Sequence, residues 1–147
     1  MVGIGNASRP PNSTIDWRRY ALVGVATIVA AIVANVIVYF IGSALVSYDP
    51  QFLILSNVGP AIIFTVVPAI VAVIIYAILL RFTANPARTF TFIAVIALIL
   101  SLIPDLTYIP TLPGATSPQA AVLMVMHVVA AVVITWVLTT FARPQAR

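Results

Sequence analysis

The chain has 147 residues, of which 63% are hydrophobic and 7% charged, with a mean hydropathy of +1.17. A water-soluble domain carries roughly 45–50% apolar and about 25% charged residues, so seven arginines and three aspartates cannot clothe a water-facing surface. This excludes a soluble enzyme, a nucleic-acid-binding domain or a disordered chain as a description of the whole molecule, and defines an integral membrane protein.

The net charge of +4 does not alter that reading. Arg9, Arg18, Arg19, Arg81, Arg88, Arg143 and Arg147 each lie just outside a long apolar run. That is where topology-setting charges sit, and it is not a nucleic-acid patch. There is no Cys, so no disulfide framework and no thiolate metal site. Lys and Glu are also absent, and with heavy Ala, Val and Arg use this suggests the coding bias of a GC-rich bacterium.

In chain order, residues 1–13 read as a disordered cytoplasmic tail. Four charge-free runs follow, and about 20 helical residues cross a bilayer core. Ser13 or Thr14 with Asp16 marks the start of a first helix over about 14–46. Its apolar run is far longer than the core of a cleaved signal peptide, so it reads as a retained anchor. Asn57 can cap a second helix, 58–80, with Pro60 in its first turn and Pro68 as a kink. Asn85-Pro86 opens a third, 86–103, and Ser117-Pro118 a fourth, 118–141. The stretch 104–118, with Pro104, Pro110, Pro113 and Gly114, reads as an irregular outer loop, and 143–147 as a second tail. The expected fold class is all-α: one transmembrane domain, 14–142, in which four helices form a polytopic bundle.

Charge orients it. Arg18, Arg19, Arg81, Arg88 and Arg143 fall on one side, whereas the segments 47–57 and 105–117 hold Asp49 and Asp105 and no basic residue. Both termini are therefore expected in the cytoplasm, with the arginines topogenic and anionic lipid headgroups a lesser partner. Trp17, Tyr20, Phe82 and Trp136 would mark the inner interface, and Tyr48, Phe52 and Tyr108 the outer one.

Polar groups inside a membrane are costly and usually face the bundle interior. Asn35 falls on a stripe with Gly24, Ala31 and Gly42; Thr65 and Pro68 share one with Ala61, Ala72 and Tyr76. Ser101 and Asp105 align with Ala94 and Ala97, and His127 with Ala120, Ala130 and Ala131. Four small-plus-polar stripes predict close helix packing with the polar residues inside. By helical rise Asn35, Pro68 and His127 lie roughly 12–17 Å below the outer end. Asn35, Ser101, Asp105 and His127 form the candidate outer pocket, and Pro68 frees the carbonyl of Phe64 as an acceptor nearby. Each residue has a plainer reading. His127 is a hydrogen-bonded buried imidazole, Asn35 interhelical glue, and Asp105 a loop cap or water-facing group rather than a partner of His127.

Ser101, His127 and Asp105 are the residue types of a hydrolytic triad, but no nucleophile elbow or oxyanion loop accompanies them. One His without Cys or Glu makes no metal site, and no phosphate-cradling or dinucleotide loop is present. No catalytic residue, cofactor or metal is expected. Small multidrug exporters depend on a membrane-embedded Glu, and quinone reductases of the vitamin K type on a Cys pair; this chain has neither. The expected partners are the lipid bilayer and another membrane protein or a second copy of this chain, with no nucleic acid. The expected role is a non-enzymatic accessory or structural component acting through helix contacts. The alternative is a small carrier or channel whose Asn35, Asp105 and His127 bind a solute or proton from outside.

A set of short motifs runs through residues 16–142: Trp17-Arg18-Arg19, Asn35 followed by Tyr39, Val67-Pro68-Ala69, the turn with Arg81, Pro86 and Arg88, Leu100 to Pro104, and Met126-His127. In these the chain resembles an uncharacterised family of four-helix bacterial inner-membrane proteins of actinobacterial type. The resemblance implies a bacterial inner-membrane protein and assigns no activity.

Overall fold

The computed structural model describes residues 15–143. The expected tail over 1–13, the Ser13 or Thr14 helix start and residues 144–147 lie outside them. The described chain forms α1 (Trp17–Leu45), α2 (Val58–Phe82), α3 (Pro86–Thr107), a 3-10 turn (Ile109–Thr111) and α4 (Ser117–Phe141). The four spans they make are long and apolar enough to cross a membrane.

Local chemistry sets the ends. Asp16 caps α1, its carboxylate accepting from the Arg19 amide at 3.1 Å. Asn57 caps α2 through the Gly59 amide at 2.9 Å. Pro86 opens α3 without a side-chain bond from Asn85. At α4 the cap is Thr116, one residue before the expected Ser117, and its amide donates to Gln119 Oε1 at 2.9 Å.

Helix α3 does not end at 103. Pro104 lies inside it, and the helix continues to Thr107, closed by the Tyr108 amide on the Pro104 carbonyl at 2.9 Å. A proline there removes a single backbone bond, to Leu100, so the helix keeps its course for one further turn. This moves Asp105 from the expected loop onto a helix.

Two apolar clusters close the ends of the bundle. One joins Tyr20, Tyr76, Leu80, Phe90 and Leu138; the other joins Tyr39, Phe52, Leu55, Ala61, Ile109 and Leu123. Each takes the start of one helix and the end of the next, so the helices alternate in direction. Arg18, Arg19, Arg81, Arg88 and Arg143 all flank the first cluster. Helix α1 packs along both α2 and α4, and α3 along α4; α2 and α3 touch far less. In the most apolar stretch of each span only 11% to 22% of residues are buried. The outside is Val, Ile, Leu and Phe, a surface that needs lipid as its solvent.

The loop after α1 is a plug. The Phe52 amide donates to the Asp49 carbonyl at 3.0 Å and the Leu55 amide to the Phe52 carbonyl at 3.1 Å. These turns drive Phe52 and Leu55 into the core, so Phe52 is not the interface residue expected. Tyr39 donates to the Leu55 carbonyl at 3.2 Å, and Tyr48 to the Tyr39 carbonyl at 2.9 Å. Burial, reinforced by Tyr39, raises the Tyr48 phenol above its ordinary range and keeps it a donor. Gly114 closes the plug from the other side. Its φ is +72°, and a Cβ would stand 2.8 Å from the Phe52 amide nitrogen. Tyr20 also departs from its expected place: it is buried and donates to the Val73 carbonyl. Trp17, Phe82, Tyr108 and Trp136 are exposed, as interface anchors need to be.

Candidate functional site

Because α2 and α3 stand apart, a cleft of about 480 Å³ opens between them. Its walls are Phe64, Pro68 and Val71 of α2 and Ala94, Ala97 and Ser101 of α3; Met126, His127 and Ala130 of α4 form the floor, with Asn35 of α1 behind. The lining is overwhelmingly apolar, and the mouth faces sideways, between two helices whose outer surfaces are built for lipid.

Asn35 reaches this place from the packed face of α1 and is 5% exposed. Its orientation follows from its neighbour. The Thr65 hydroxyl donates to the Ala61 carbonyl at 2.7 Å, so toward Asn35 its oxygen can only accept. Asn35 therefore presents Nδ2, at 2.8 Å from Thr65 Oγ1. Its carboxamide oxygen is buried and has no partner. Such an orphan acceptor costs about 1–3 kcal/mol.

His127 sits one level along the floor. Its Nδ1 is 2.9 Å from the Leu123 carbonyl and 2.9 Å from Asp105 Oδ2. Both are acceptors, so Nδ1 carries a hydrogen, and in the neutral ring Nε2 is then an acceptor. One N–H can be aimed well at one oxygen. It is aimed at Leu123, which leaves Asp105 Oδ2 close but without an aligned hydrogen bond. Asp105 is 3% exposed, not water-facing as the sequence suggested. Helix α3, extended past Pro104, carries it inward.

The expected pocket residues thus fall in two layers. Asn35, Ser101 and His127 line one cleft, while Asp105 lies off its wall and touches His127. The Ser101 hydroxyl donates to the Leu98 carbonyl at 2.7 Å, within its own helix. No hydrogen bond among the described residues joins Ser101 to His127. Pro68 faces the cleft from within a continuous α2, and the packed position of its stripe is Ala69. The arginines stand apart from the cleft. The Arg81 guanidinium lies 6.0 Å from the Phe82 ring, and Arg143 Nε donates to the Thr139 carbonyl at 2.6 Å.

Some buried polar residues escaped the sequence reading. Gln119 is fully buried, its Nε2 unpartnered; the Thr116-x-x-Gln119 spacing of a capping box would have found it. Tyr76 is fully buried with no partner for its hydroxyl, although its ring meets Phe90 edge-on at 5.1 Å. Its burial follows from the stripe it shares with Ala61 and Thr65, which the sequence already turns inward.

Fold and cleft together define a class: a membrane protein with four apolar helices and a lateral cavity in its wall. The model of the family of unknown function DUF6069 matches residues 15–144, and the chain belongs to that family. No curated protein and no solved structure matches it.

Proposed function

We propose that the protein is a non-enzymatic component of a bacterial cytoplasmic membrane that works by binding a target inside the bilayer, at the cleft between α2 and α3. One observation carries this reading. Polar residues from all four helices, Asn35, Thr65, Ser101, His127 and Thr135, line a single cavity that opens toward lipid. A cavity of that size is typical of small-molecule sites, which combine apolar walls with few polar groups. Binding without chemistry fits the state of those groups, since the Ser101 hydroxyl is committed to its own helix and His127 Nδ1 to Leu123. The role is that of an accessory component, the occupied cleft setting how the bundle meets a partner.

The arginines support an orientation with both termini cytoplasmic, because all five that are described gather at one end of the bundle. The chain has no Cys of its own, so single introduced cysteines report sidedness cleanly. Gln51→Cys in the α1–α2 loop is expected to react with a membrane-impermeant thiol reagent on intact cells, and Ala84→Cys in the α2–α3 turn only after lysis. The reverse pattern would overturn the orientation.

A second reading, a small carrier for a solute or proton, is favoured by the 2.9 Å contact of His127 with Asp105. Native mass spectrometry of the protein extracted with its surrounding lipid separates the two. A bound small molecule or a stoichiometric second polypeptide supports the binding component. A bare protein, with proton flux that His127→Ala abolishes, supports the carrier.

A further inference from the structure

The proposal that the cleft binds a target leaves open what controls the binding, and one ring on the floor supplies an answer. The Leu123 carbonyl can only accept, and His127 Nδ1 stands 2.9 Å from it, so Nδ1 keeps its hydrogen whether the ring is neutral or charged. The proton that the ring can gain or lose is therefore the one on Nε2. That atom makes no hydrogen bond among the described residues and, unlike the Asn35 oxygen, is not closed off from the surface. The ring lines the cleft, with 41% of its side chain exposed. Neutral, it shows the cleft a lone pair; charged, it shows an N–H.

A charged ring inside a bilayer needs a counter-charge. Asp105 Oδ2 lies 2.9 Å from Nδ1, so the pair of a protonated ring and a carboxylate is neutral overall. No other charge competes. Helices α1 and α2 carry only Arg18, Arg19 and Arg81, and α3 Arg88, all at the opposite end, and α4 carries none. At the Asp105 end, Tyr39 and Tyr48 donate to the carbonyls of Leu55 and Tyr39, Asp49 accepts from the Gln51 amide, and Tyr108 is exposed. The other polar residues of the lining, Asn35, Thr65, Ser101 and Thr135, do not titrate, so what they offer is the same at every pH.

Resting on the binding reading above, we propose that the cleft is a proton-gated site for a membrane-soluble molecule with a carbonyl head. With a proton on Nε2, His127 donates to the carbonyl oxygen. When that proton leaves, a lone pair faces the oxygen and the ligand is released. Asp105 is a positioning residue: it acts through His127, balancing the charge that the gate requires. Affinity is therefore highest at low pH and falls as pH rises. Because binding takes up one proton, the fall is expected to reach about tenfold per pH unit where the ring titrates. An alcohol of the same chain can accept from the N–H or donate to the lone pair, so its affinity is expected to stay level.

The test uses the full chain in phosphatidylcholine nanodiscs between about pH 5 and 8, the range in which an imidazole changes charge. The chain has one histidine, so 15N-histidine labelling reports both ring nitrogens of a single site. In the empty protein Nδ1 is expected to stay protonated throughout, while Nε2 gains its proton as the pH falls. Affinity is then read from the saturable shift of a 13C label on the head carbon of 2-tridecanone or 2-tridecanol. The ketone is expected to bind more tightly at each lower pH, and the alcohol to change little. Asp105→Asn removes the counter-charge and is expected to hold the ketone at its weak, high-pH affinity. His127→Gln, whose carboxamide donates at every pH, is expected to bind the ketone without pH dependence. If neither variant folds, the nitrogen assignment and the two pH profiles of the unaltered protein decide alone. Titration at Nδ1 instead of Nε2, or a ring fixed in one state across the series, overturns the gate. Equal pH profiles for ketone and alcohol also overturn it, while leaving the cleft a binding site. No saturable binding of either at any pH overturns the binding reading as well.

Discussion

The seams on either side of the bundle are built on opposite rules. Helix α1 buries seven residues, among them Gly24, Ala31, Asn35 and Gly42, and packs along α2 and α4. Helix α3 buries two, Phe90 and Asp105, and leaves a cleft toward α2. Small residues explain the first seam, since they let backbones approach closely. They do not by themselves close the second. Ala94, Ala97 and Ser101 make a similar stripe on α3, yet they face the bulky edge of Phe64, Pro68 and Val71 across open space. A small-residue face produces contact only when the opposing helix can come down onto it. Here the α2–α3 pair is pinned at the turn by Tyr76 against Phe90, and no other ring contact among the described residues joins the two helices farther along.

The largest effect is expected where the two seams share a charge. Asp105 is buried, and among the described residues His127 is its only ionic neighbour. His127→Ala strands that carboxylate, and removing one member of a buried pair costs about 3–5 kcal/mol when the remaining charge persists. The half-exposed imidazole lowers this to about 2 kcal/mol. Equilibrium unfolding in detergent measures it, and the double variant His127→Ala with Asp105→Asn is expected to recover most of the loss. Simple additivity of the two would show that the contact has no energetic content.

Next comes the tight seam itself. A Cβ on Gly42 would overlap the Tyr48 hydroxyl and stand 2.8 Å from Val122 Cγ1, so both the plug and α4 resist it. Gly42→Ala is expected to cost about 1–3 kcal/mol. Ala97→Leu, a larger addition in the open cleft, is expected to cost under about 0.5 kcal/mol. A thermal melt of the two variants side by side sharpens the comparison, and equal losses would break it.

How much of this was legible in the sequence depended on whether the signal was local. Four apolar runs, the Asn57 cap and the Pro86 start are local, and Gly24, Ala31, Asn35 and Gly42 of the sequence stripe all lie on the buried face of α1, which Tyr20, Thr27 and Tyr39 complete. The burial of Asp105 was hidden because a proline before an acidic residue reads as a helix end. Whether the helix survives Pro104 is decided by packing a turn farther on. Phe52 and Tyr20 read as interface aromatics because composition cannot say whether a loop folds back into the core or a ring turns toward the Val73 carbonyl. The polar residues themselves were findable by type and spacing. Their arrangement in two layers was not, because it depends on a gap between α2 and α3 that no single helix encodes.

The smallest effect is the most telling about Asn35. Its carboxamide bonds Thr65 across the α1–α2 seam at 2.8 Å, and interhelical hydrogen bonds in membranes average about 0.6 kcal/mol by double-mutant cycle. An Asn35→Ala and Thr65→Ala cycle, read by unfolding in detergent, is expected to return a coupling of about that size. A coupling near 2 kcal/mol would make Asn35 chiefly an adhesive between α1 and α2, and would remove the reason for its free oxygen to be anything but incidental. A value near the average leaves the side chain contributing little to the seam. Since Asn35 holds a buried, unpartnered acceptor on the edge of the cleft, its stability cost is then offset by something other than folding. The two halves of one carboxamide differ: Nδ2 ties the closed seam, and Oδ1 stays buried and unpartnered behind the open one.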